Sequence, residues 1–123
     1  MISSNRFTRY QRLSAKADFK NIFSQPQKTA EKNLLALWKT NTYPLSRIGI
    51  VVGKKVSRSA VVRNRIKRVV RESYRLSNVR QHHIDIVVIA RHDCGHLNRL
   101  ELRKEINNLW KRLALQFQKS SLS

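Results

Sequence analysis

The sequence predicts an α+β fold in which helices cover one small sheet, and three observations support this class. Apolar residues alternate or run together over strand lengths near residues 33–40, 47–53 and 84–91. Helical periodicity occupies residues 60–76 and 98–117, between and after those strands. The chain has 123 residues, with no internal repeat, linker or low-complexity tract. We therefore predict a single domain spanning 1–123.

The N-terminal segment predicts a basic arm followed by a short helix. Residues 1–13 mix arginines with aromatic residues and show no clean period. Ser14 is a candidate N-cap, and Pro26 should end the helix soon after Phe23. One face of this helix carries its large apolar side chains, which are Phe19, Ile22 and Phe23.

Two strands are predicted next. Between Asn33 and Thr40, successive side chains point to opposite faces of a sheet, with Leu34, Ala36 and Trp38 on one face and Leu35 and Leu37 on the other. After a turn at residues 41–46, a second strand alternates Ile48, Ile50 and Val52 with Gly49, Val51 and Gly53. The two glycines indicate close approach by another backbone or a helix.

Residues from Ala60 to about Leu76 form a predicted helix of unusual charge, with Ser57 or Ser59 as its N-cap. At about 100° per residue, one stripe of this helix is suited to burial against a sheet. That stripe comprises Val62, Ile66, Val69, Val70 and Ser73. The rest of the circumference is mostly cationic, with Glu72 nearly alone among Arg63, Asn64, Arg65, Lys67, Arg68, Arg71 and Arg75.

A buried strand and a last helix complete the predicted domain. The near-continuous apolar run from Ile84 to Arg91 is typical of a strand covered on both faces, so we place it centrally in the sheet. Asn98 followed by Glu101 is a capping-box pattern that opens the last helix. We expect residues 118–123 to be a frayed tail. The core face of the helix comprises Leu102, Ile106, Leu109, Trp110, Leu113 and Phe117.

The composition indicates a polyanionic partner. The chain contains 26 Lys+Arg against 7 Asp+Glu, a formal charge of +19, and nucleic acid would relieve the resulting self-repulsion. An anionic membrane surface is the second candidate, but no apolar run approaches the ~20 residues of a spanning helix, and the first residues lack the apolar region of a signal peptide. The single cysteine, Cys94, excludes an intrachain disulfide and fits a reducing compartment. We therefore expect a cytoplasmic protein without a membrane partner.

The strongest functional signal lies between Lys54 and Arg71. This stretch contains no acidic residue, whereas solvated helix faces normally mix both signs of charge. We interpret it as a nucleic-acid contact surface. Phe19, Phe23 and Trp38 are candidates for stacking on bases, but composition alone favours a place for them in the core.

Other candidate sites carry weaker signals. His92, Cys94 and His96 alternate within one short stretch, but this is not a usual zinc-site spacing, and Gly95 indicates a turn. For a Cys94 nucleophile, neither an oxyanion-hole motif nor an acidic orienting residue stands out. We expect no catalytic residue, no metal site, no cofactor bound by the protein alone and no small-molecule substrate.

The segment GKKVSRSAVVRNRIKRVVRESYR resembles the signature of the bacterial ribonuclease P protein family, whose Arg-Asn-Arg core corresponds here to Arg63, Asn64 and Arg65. The resemblance extends to the segments RLSAKADFKNIFSQPQ, RIGIVVGKK, IDIVVIAR and LWKRL. It covers nearly the whole chain in the family's order.

The resemblance implies a more detailed fold than the residues alone predict. It implies a two-layer α/β sandwich of the ribosomal protein S5 domain 2-like type, with elements in the order αβββαβα. The four-stranded sheet would include a left-handed βαβ crossover through the basic helix, against the usual right-handed rule. A further short strand would lie near Lys28 to Glu31.

The resemblance also implies a function. Family members are protein subunits of a ribonucleoprotein that removes the 5′ leader of precursor tRNA, and the RNA subunit with its bound Mg²⁺ carries the chemistry. The implied partners are ribonuclease P RNA and precursor tRNA. Residues matching the motif that meets the catalytic RNA are Lys54, Lys55, Arg63, Asn64, Arg65, Lys67, Arg68 and Arg71. Residues falling where the family builds a cleft for the single-stranded leader are Phe19, Phe23 and Trp38, with Lys67 and Arg71 at its edge.

Two other functions stay open at this point. A ribosomal-type or general RNA-binding chaperone with no role in cleavage would share the charge and a related sheet topology. A stand-alone nuclease would need its own acid/base or metal cluster, and the scattering of the 7 acidic residues argues against one.

Overall fold

The computed structural model describes Leu13 and residues 16–122, with side chains described at Leu13 and from 19 to 119. Residues 1–12 of the predicted arm 1–13 and the candidate cap Ser14 lie outside these residues. The elements follow the predicted order αβββαβα: α1 Lys16–Phe23, β1 Gln27–Ala30, β2 Leu34–Thr40, β3 Arg47–Val51, α2 Ala60–Leu76, β4 Ile84–Ala90 and α3 Arg99–Leu122. Short 3₁₀ turns occupy Asn78–Gln81 and His92–His96.

The strands form one mixed sheet in the order β1-β2-β4-β3. β2 pairs antiparallel with both β1 and β4, whereas β3 runs parallel to β4. The short strand expected near Lys28 to Glu31 is present as β1, and β4 is central, as its continuous apolar run predicts. α2 connects the two parallel strands, and the left hand of that crossover stays a prediction.

Helices cover the two faces of the sheet unequally. α2 and α3 pack on one face, where they enclose the larger core around Trp38, Ile66, Ile86 and Leu109. The much shorter α1 packs on the opposite face, where Ile22 is fully buried in a smaller cluster completed by Leu13, Leu37 and Val87. The α1 side of the sheet is therefore covered over a smaller area.

Local sequence signals explain the bounds of α2. The Ser59 side chain accepts a hydrogen bond from the backbone N–H of Val62 at 3.3 Å, so Ser59 is the N-cap of the two serines considered. The predicted stripe is buried except for Val62, which is half-buried. Tyr74 is also buried, and hydrogen bonds to the hydroxyl and carbonyl oxygens of Ser46 satisfy its hydroxyl group. The stripe did not include Tyr74.

α3 begins at the predicted capping box. The Glu101 backbone N–H donates to Asn98 Oδ1 at 2.8 Å, and the Asn98 backbone N–H donates to Glu101 Oε1 at 2.9 Å. The helix continues to Leu122, beyond its predicted end, and the fraying of residues 118–123 stays a prediction. No helix in the described part of the chain has the length and apolar character needed to cross a membrane.

The two glycines of the β3 region behave differently. A Cβ atom at Gly49 would lie 2.7 and 2.8 Å from two ring atoms of Phe19, so the close approach of a helix predicted there is confirmed. At Gly53 a Cβ atom would meet nothing within 4 Å, and the same prediction is wrong. The reason is that β3 ends at Val51, so Gly53 lies in the loop beyond the sheet.

Candidate nucleic-acid interface

The loop between β3 and α2 carries three cations that line a shallow concavity, which are Lys54, Lys55 and Arg58. All three side chains are exposed, and none lies within ion-pair distance of a carboxylate in the described part of the chain. Sequence reasoning selected the two lysines and missed Arg58, although Arg58 belongs to the same acid-free run.

Two arginines of the Arg-Asn-Arg motif hold the backbone around this loop. Arg63 Nη1 donates to the carbonyl oxygens of Ser57 and Arg58 at 2.8 and 2.9 Å. Arg65 Nη2 donates to the carbonyl oxygen of Leu97 at 3.3 Å. Each guanidinium group has five N–H donors, so both arginines keep donors for phosphate while they fix neighbouring segments.

Further along α2, a second shallow concavity is lined by Asn64, Lys67, Arg68, Arg71, Glu72 and Arg75. Glu72 is its acidic member, and it pairs with Arg75 at 2.6 Å. The hydrogen bond from Arg75 lowers the pKa of the Glu72 carboxyl group, so this pair stays ionised to a lower pH than a free glutamate would. Lys67 and Arg68 have no ion-pair partner among the described carboxylates. We refer to both concavities, with Arg63 and Arg65, as the basic surface.

Three other carboxylates of the described chain are engaged by partners outside the basic surface. Asp85 pairs with Arg47 at 2.6 Å, and Glu31 pairs with Arg112 at 2.7 Å. Glu105 accepts hydrogen bonds from the backbone and side chain of Asn33, each at 2.8 Å. The basic surface therefore keeps a large excess of positive charge, with Glu72 as its one acidic member in the described chain, and this excess suits a polyanion.

A different kind of surface lies on the side of the sheet that α1 covers. The Phe19 ring is half-buried over Gly49, whereas Phe23 is 50% exposed. Leu35 and Ile89 are half-buried and, like Phe19, pack against the cluster that contains the buried Leu37 and Val87. We call this apolar and aromatic surface the α1 face. Its sheet residues were not proposed as site residues, although the strand alternation already separated Leu35 and Leu37 from Trp38.

The assignment of Trp38 to this cleft is wrong. Trp38 is 1% exposed and belongs to the core on the opposite face of the sheet. Its indole N–H donates to Thr29 Oγ1 at 3.1 Å, and its ring packs against Phe117 with centroids 6.2 Å apart. Strand alternation explains the error, because Leu37 is the residue that points toward α1.

Lys67 and Arg71 lie on α2, which packs on the face opposite α1. They share the α2 concavity with Asn64 and Arg68, and their predicted contact with the catalytic RNA stays a prediction. Their second predicted role, at the edge of the cleft, stays a prediction.

The stretch from His92 to His96 forms a 3₁₀ turn that separates its three candidate ligands. Cys94 is fully buried in the core, and desolvation raises the pKa of its thiol to about 11. His92 and His96 are exposed. In the described residues no three His, Cys, Asp or Glu side chains lie close enough together to hold a metal ion.

An α+β domain with a strongly basic surface on one side and a half-exposed aromatic face on the other has the features of a polyanion-binding protein. Comparison with known proteins narrows that class. A family model described as Ribonuclease P matches residues 7–114. The ribonuclease P protein component of Pseudomonas putida (strain GB-1) is 42% identical over 112 residues, which cover 90% of this chain and 84% of that protein. The ribonuclease P protein component of Chromohalobacter salexigens is 37% identical over 123 residues, which cover 99% of this chain and 96% of that protein.

Solved structures give the same result. The RNase P protein of Staphylococcus aureus superposes with a TM-score of 0.77 at 29% identity, covering 82% of this chain and 93% of that chain. The RNase P protein from Thermotoga maritima gives a TM-score of 0.72 at 34% identity, covering 82% of this chain and 96% of that chain. The chain belongs to the ribonuclease P protein family. It is accordingly a protein component of ribonuclease P, with an RNA partner and a function in tRNA processing.

Proposed function

We propose that the basic surface binds the RNA subunit of ribonuclease P and that the α1 face binds the 5′ leader of precursor tRNA. The observation that carries this proposal is the separation of the two surfaces. Cations that pair with no described carboxylate lie on α2 and in the loop before it, and they include Lys54, Lys55, Arg58, Lys67 and Arg68. Half-exposed aromatic and aliphatic side chains lie on the opposite side of the sheet.

The chemistry of each surface suits the RNA assigned to it. Lys54, Lys55 and Arg68 offer cations to phosphates, and the release of condensed counterions would drive such binding. Phe19 and Phe23 offer rings on which any base can stack, so the leader would be held with little sequence preference. Leader binding with little sequence preference suits a component that must accept many precursor tRNAs.

We further propose that the protein contributes no catalytic group and binds no cofactor of its own. Hydrolysis would be carried by the RNA subunit and its bound Mg²⁺, with metal-assisted attack of water on the phosphodiester. The engagement of the described carboxylates in caps and ion pairs supports this assignment. The buried free thiol of Cys94 supports a cytoplasmic location.

Reconstitution with a bacterial ribonuclease P RNA tests the proposal directly. The protein should lower the Mg²⁺ concentration at which the RNA removes the 5′ leader, and the protein alone should leave precursor tRNA intact. The complex should also bind precursor tRNA more tightly than mature tRNA. Cleavage by RNA-free protein would contradict the proposal. Equal binding of the two tRNAs would favour a general RNA chaperone instead.

A further inference from the structure

Tyr43 presents an exposed aromatic ring in the turn between β2 and β3. The ring packs on the guanidinium group of Arg47, whose central carbon lies 4.1 Å from the ring centroid. The residue nevertheless remains 49% exposed. Arg47 thus occupies one side of a ring that belongs to a half-exposed residue.

A network of hydrogen bonds fixes the position of this ring. Arg47 binds Asp85 through two contacts, Nε to Oδ1 at 2.9 Å and Nη2 to Oδ2 at 2.6 Å. The Asn41 amide donates to the same Asp85 Oδ1 at 2.7 Å, while Asn41 Oδ1 accepts from the Tyr43 backbone N–H at 3.1 Å. The Tyr43 carbonyl oxygen accepts a hydrogen bond from His83 Nδ1 at 2.6 Å. A ligand binding here would not have to order the turn first.

The ring continues the α1 face along the sheet. Lys39, Asp85 and Arg47 lie opposite one another in the strand register, and alternation places them on the same side of the sheet as Gly49. The Phe19 ring rests over Gly49, which is two residues, or about 7 Å, from Arg47 along β3. Lys39 is half-buried and pairs with no described carboxylate, so it is available to a phosphate.

We infer that Tyr43 is a stacking platform for an unpaired nucleobase of the RNA strand that the α1 face binds. This inference rests on the proposed function and extends the leader-binding surface beyond Phe19. The base would lie on the side of the ring opposite Arg47, completing a stack of guanidinium, phenol ring and base. Lys39 would bind the adjoining phosphate, and no base-specific hydrogen bond is required.

Tyr43→Leu and Tyr43→Phe form the matched test, because both keep the backbone contacts of residue 43 and only the second keeps the ring. In the reconstituted complex, Tyr43→Leu should weaken binding of precursor tRNA by about fivefold to a hundredfold, while Tyr43→Phe binds like the parent. Affinity for mature tRNA should not change. The loss should disappear for leaders too short to reach Tyr43 and should persist when the leader bases are permuted.

The outcomes separate this inference from the proposed function. If Tyr43→Leu binds precursor tRNA of every leader length like the parent while Phe19→Ala loses precursor preference, only the Tyr43 platform is overturned. If neither variant changes precursor preference, the leader function of the α1 face is overturned as well. Equal losses for precursor and mature tRNA would also overturn the platform. Thermal unfolding of each variant confirms that the comparison is made on folded protein.

Discussion

At the residue scale, burial changes the pKa of the Cys94 thiol, a group to which we assign no catalytic role. Desolvation raises its pKa to about 11, so the folded protein holds the thiol proton more tightly than the unfolded chain does. The resulting stabilisation is fully present below the ordinary thiol pKa and is lost as the pH rises through about 11. Cys94 is therefore a packing residue whose ionisation opposes folding in alkali.

This linkage gives a prediction for Cys94→Ser, which nearly keeps the size of the side chain but does not titrate in this range. Between about pH 8 and about pH 10.5, the parent should lose more free energy of unfolding than the variant. Chemical denaturation at both pH values measures the difference, and lysine and tyrosine titrations contribute equally to both proteins. Parallel losses would show that Cys94 does not carry the effect. Activity of the variant complex should stay within a few-fold of the parent.

Trp38 provides a second prediction at this scale. Trp38→Phe removes the indole hydrogen bond to Thr29 and part of the buried volume, so the free energy of unfolding should fall by about 1–3 kcal/mol. Preference for precursor over mature tRNA should not change, because Trp38 lies on the side of the sheet away from α1. Denaturant unfolding and tRNA binding measure the two properties. A folded variant that has lost the preference for precursor tRNA would contradict this account, because it would indicate that Trp38 contributes to leader binding.

At the scale of elements, two segments that are distant in sequence support each other. A Cβ atom at Gly95 would overlap the carbonyl oxygen of Val56, so the turn at His92–His96 packs directly on the loop between β3 and α2, which we call the basic loop. Arg63 and Arg65 hold the same two segments from the side of α2. The positions of Lys54 and Lys55 therefore depend on residues that need not contact RNA themselves.

Gly95→Ala should displace the basic loop and weaken binding of the RNA subunit. The salt dependence of that binding should become shallower, by up to about 0.9 in log-log slope for each phosphate that the loop no longer binds. If Gly95 acts by positioning the loop, its effect should shrink in a Lys54→Ala/Lys55→Ala background. A double-mutant cycle on RNA affinity measures this coupling, and circular dichroism checks the fold. Additive losses would assign Gly95 a merely structural role.

Local signals predicted the elements well, and tertiary contacts explain what they missed. The bounds of α2 follow from the Ser59 cap and the apolar stripe, whereas Tyr74 is buried through Ser46, a residue distant in sequence. Strand alternation separated Leu37 from Trp38, but it does not tell which side α1 will cover. The side that α1 covers depends on packing between elements distant in sequence, and for this reason Trp38 was assigned to the wrong side of the sheet.

At the scale of the whole molecule, the sheet separates two surfaces of different chemistry. α2 and α3 bury the larger core and leave the cations of α2 facing outward, while α1 leaves part of the opposite face open. The net charge of +19 was readable from composition. The acid-free run from Lys54 to Arg71 also placed many of the cations on α2, whereas the partner that each carboxylate takes needed the structure.

The most direct test of the two-surface account compares Lys67→Ala/Arg68→Ala with Phe19→Ala in the reconstituted complex. Each variant is measured for its affinity toward ribonuclease P RNA across salt concentrations, and then, at saturating RNA, for its preference for precursor over mature tRNA. Circular dichroism first checks that Phe19→Ala is folded, because Phe19 packs on the sheet.

The lysine and arginine variant should bind the RNA subunit more weakly and keep its precursor preference. Its log-log salt slope should fall by up to about 0.9 for each phosphate that the variant no longer binds. Phe19→Ala should bind the RNA subunit like the parent and lose precursor preference, by about 1–3 kcal/mol for one stacked base. If both variants lose the same property to the same extent, the protein has a single RNA surface and the account is contradicted.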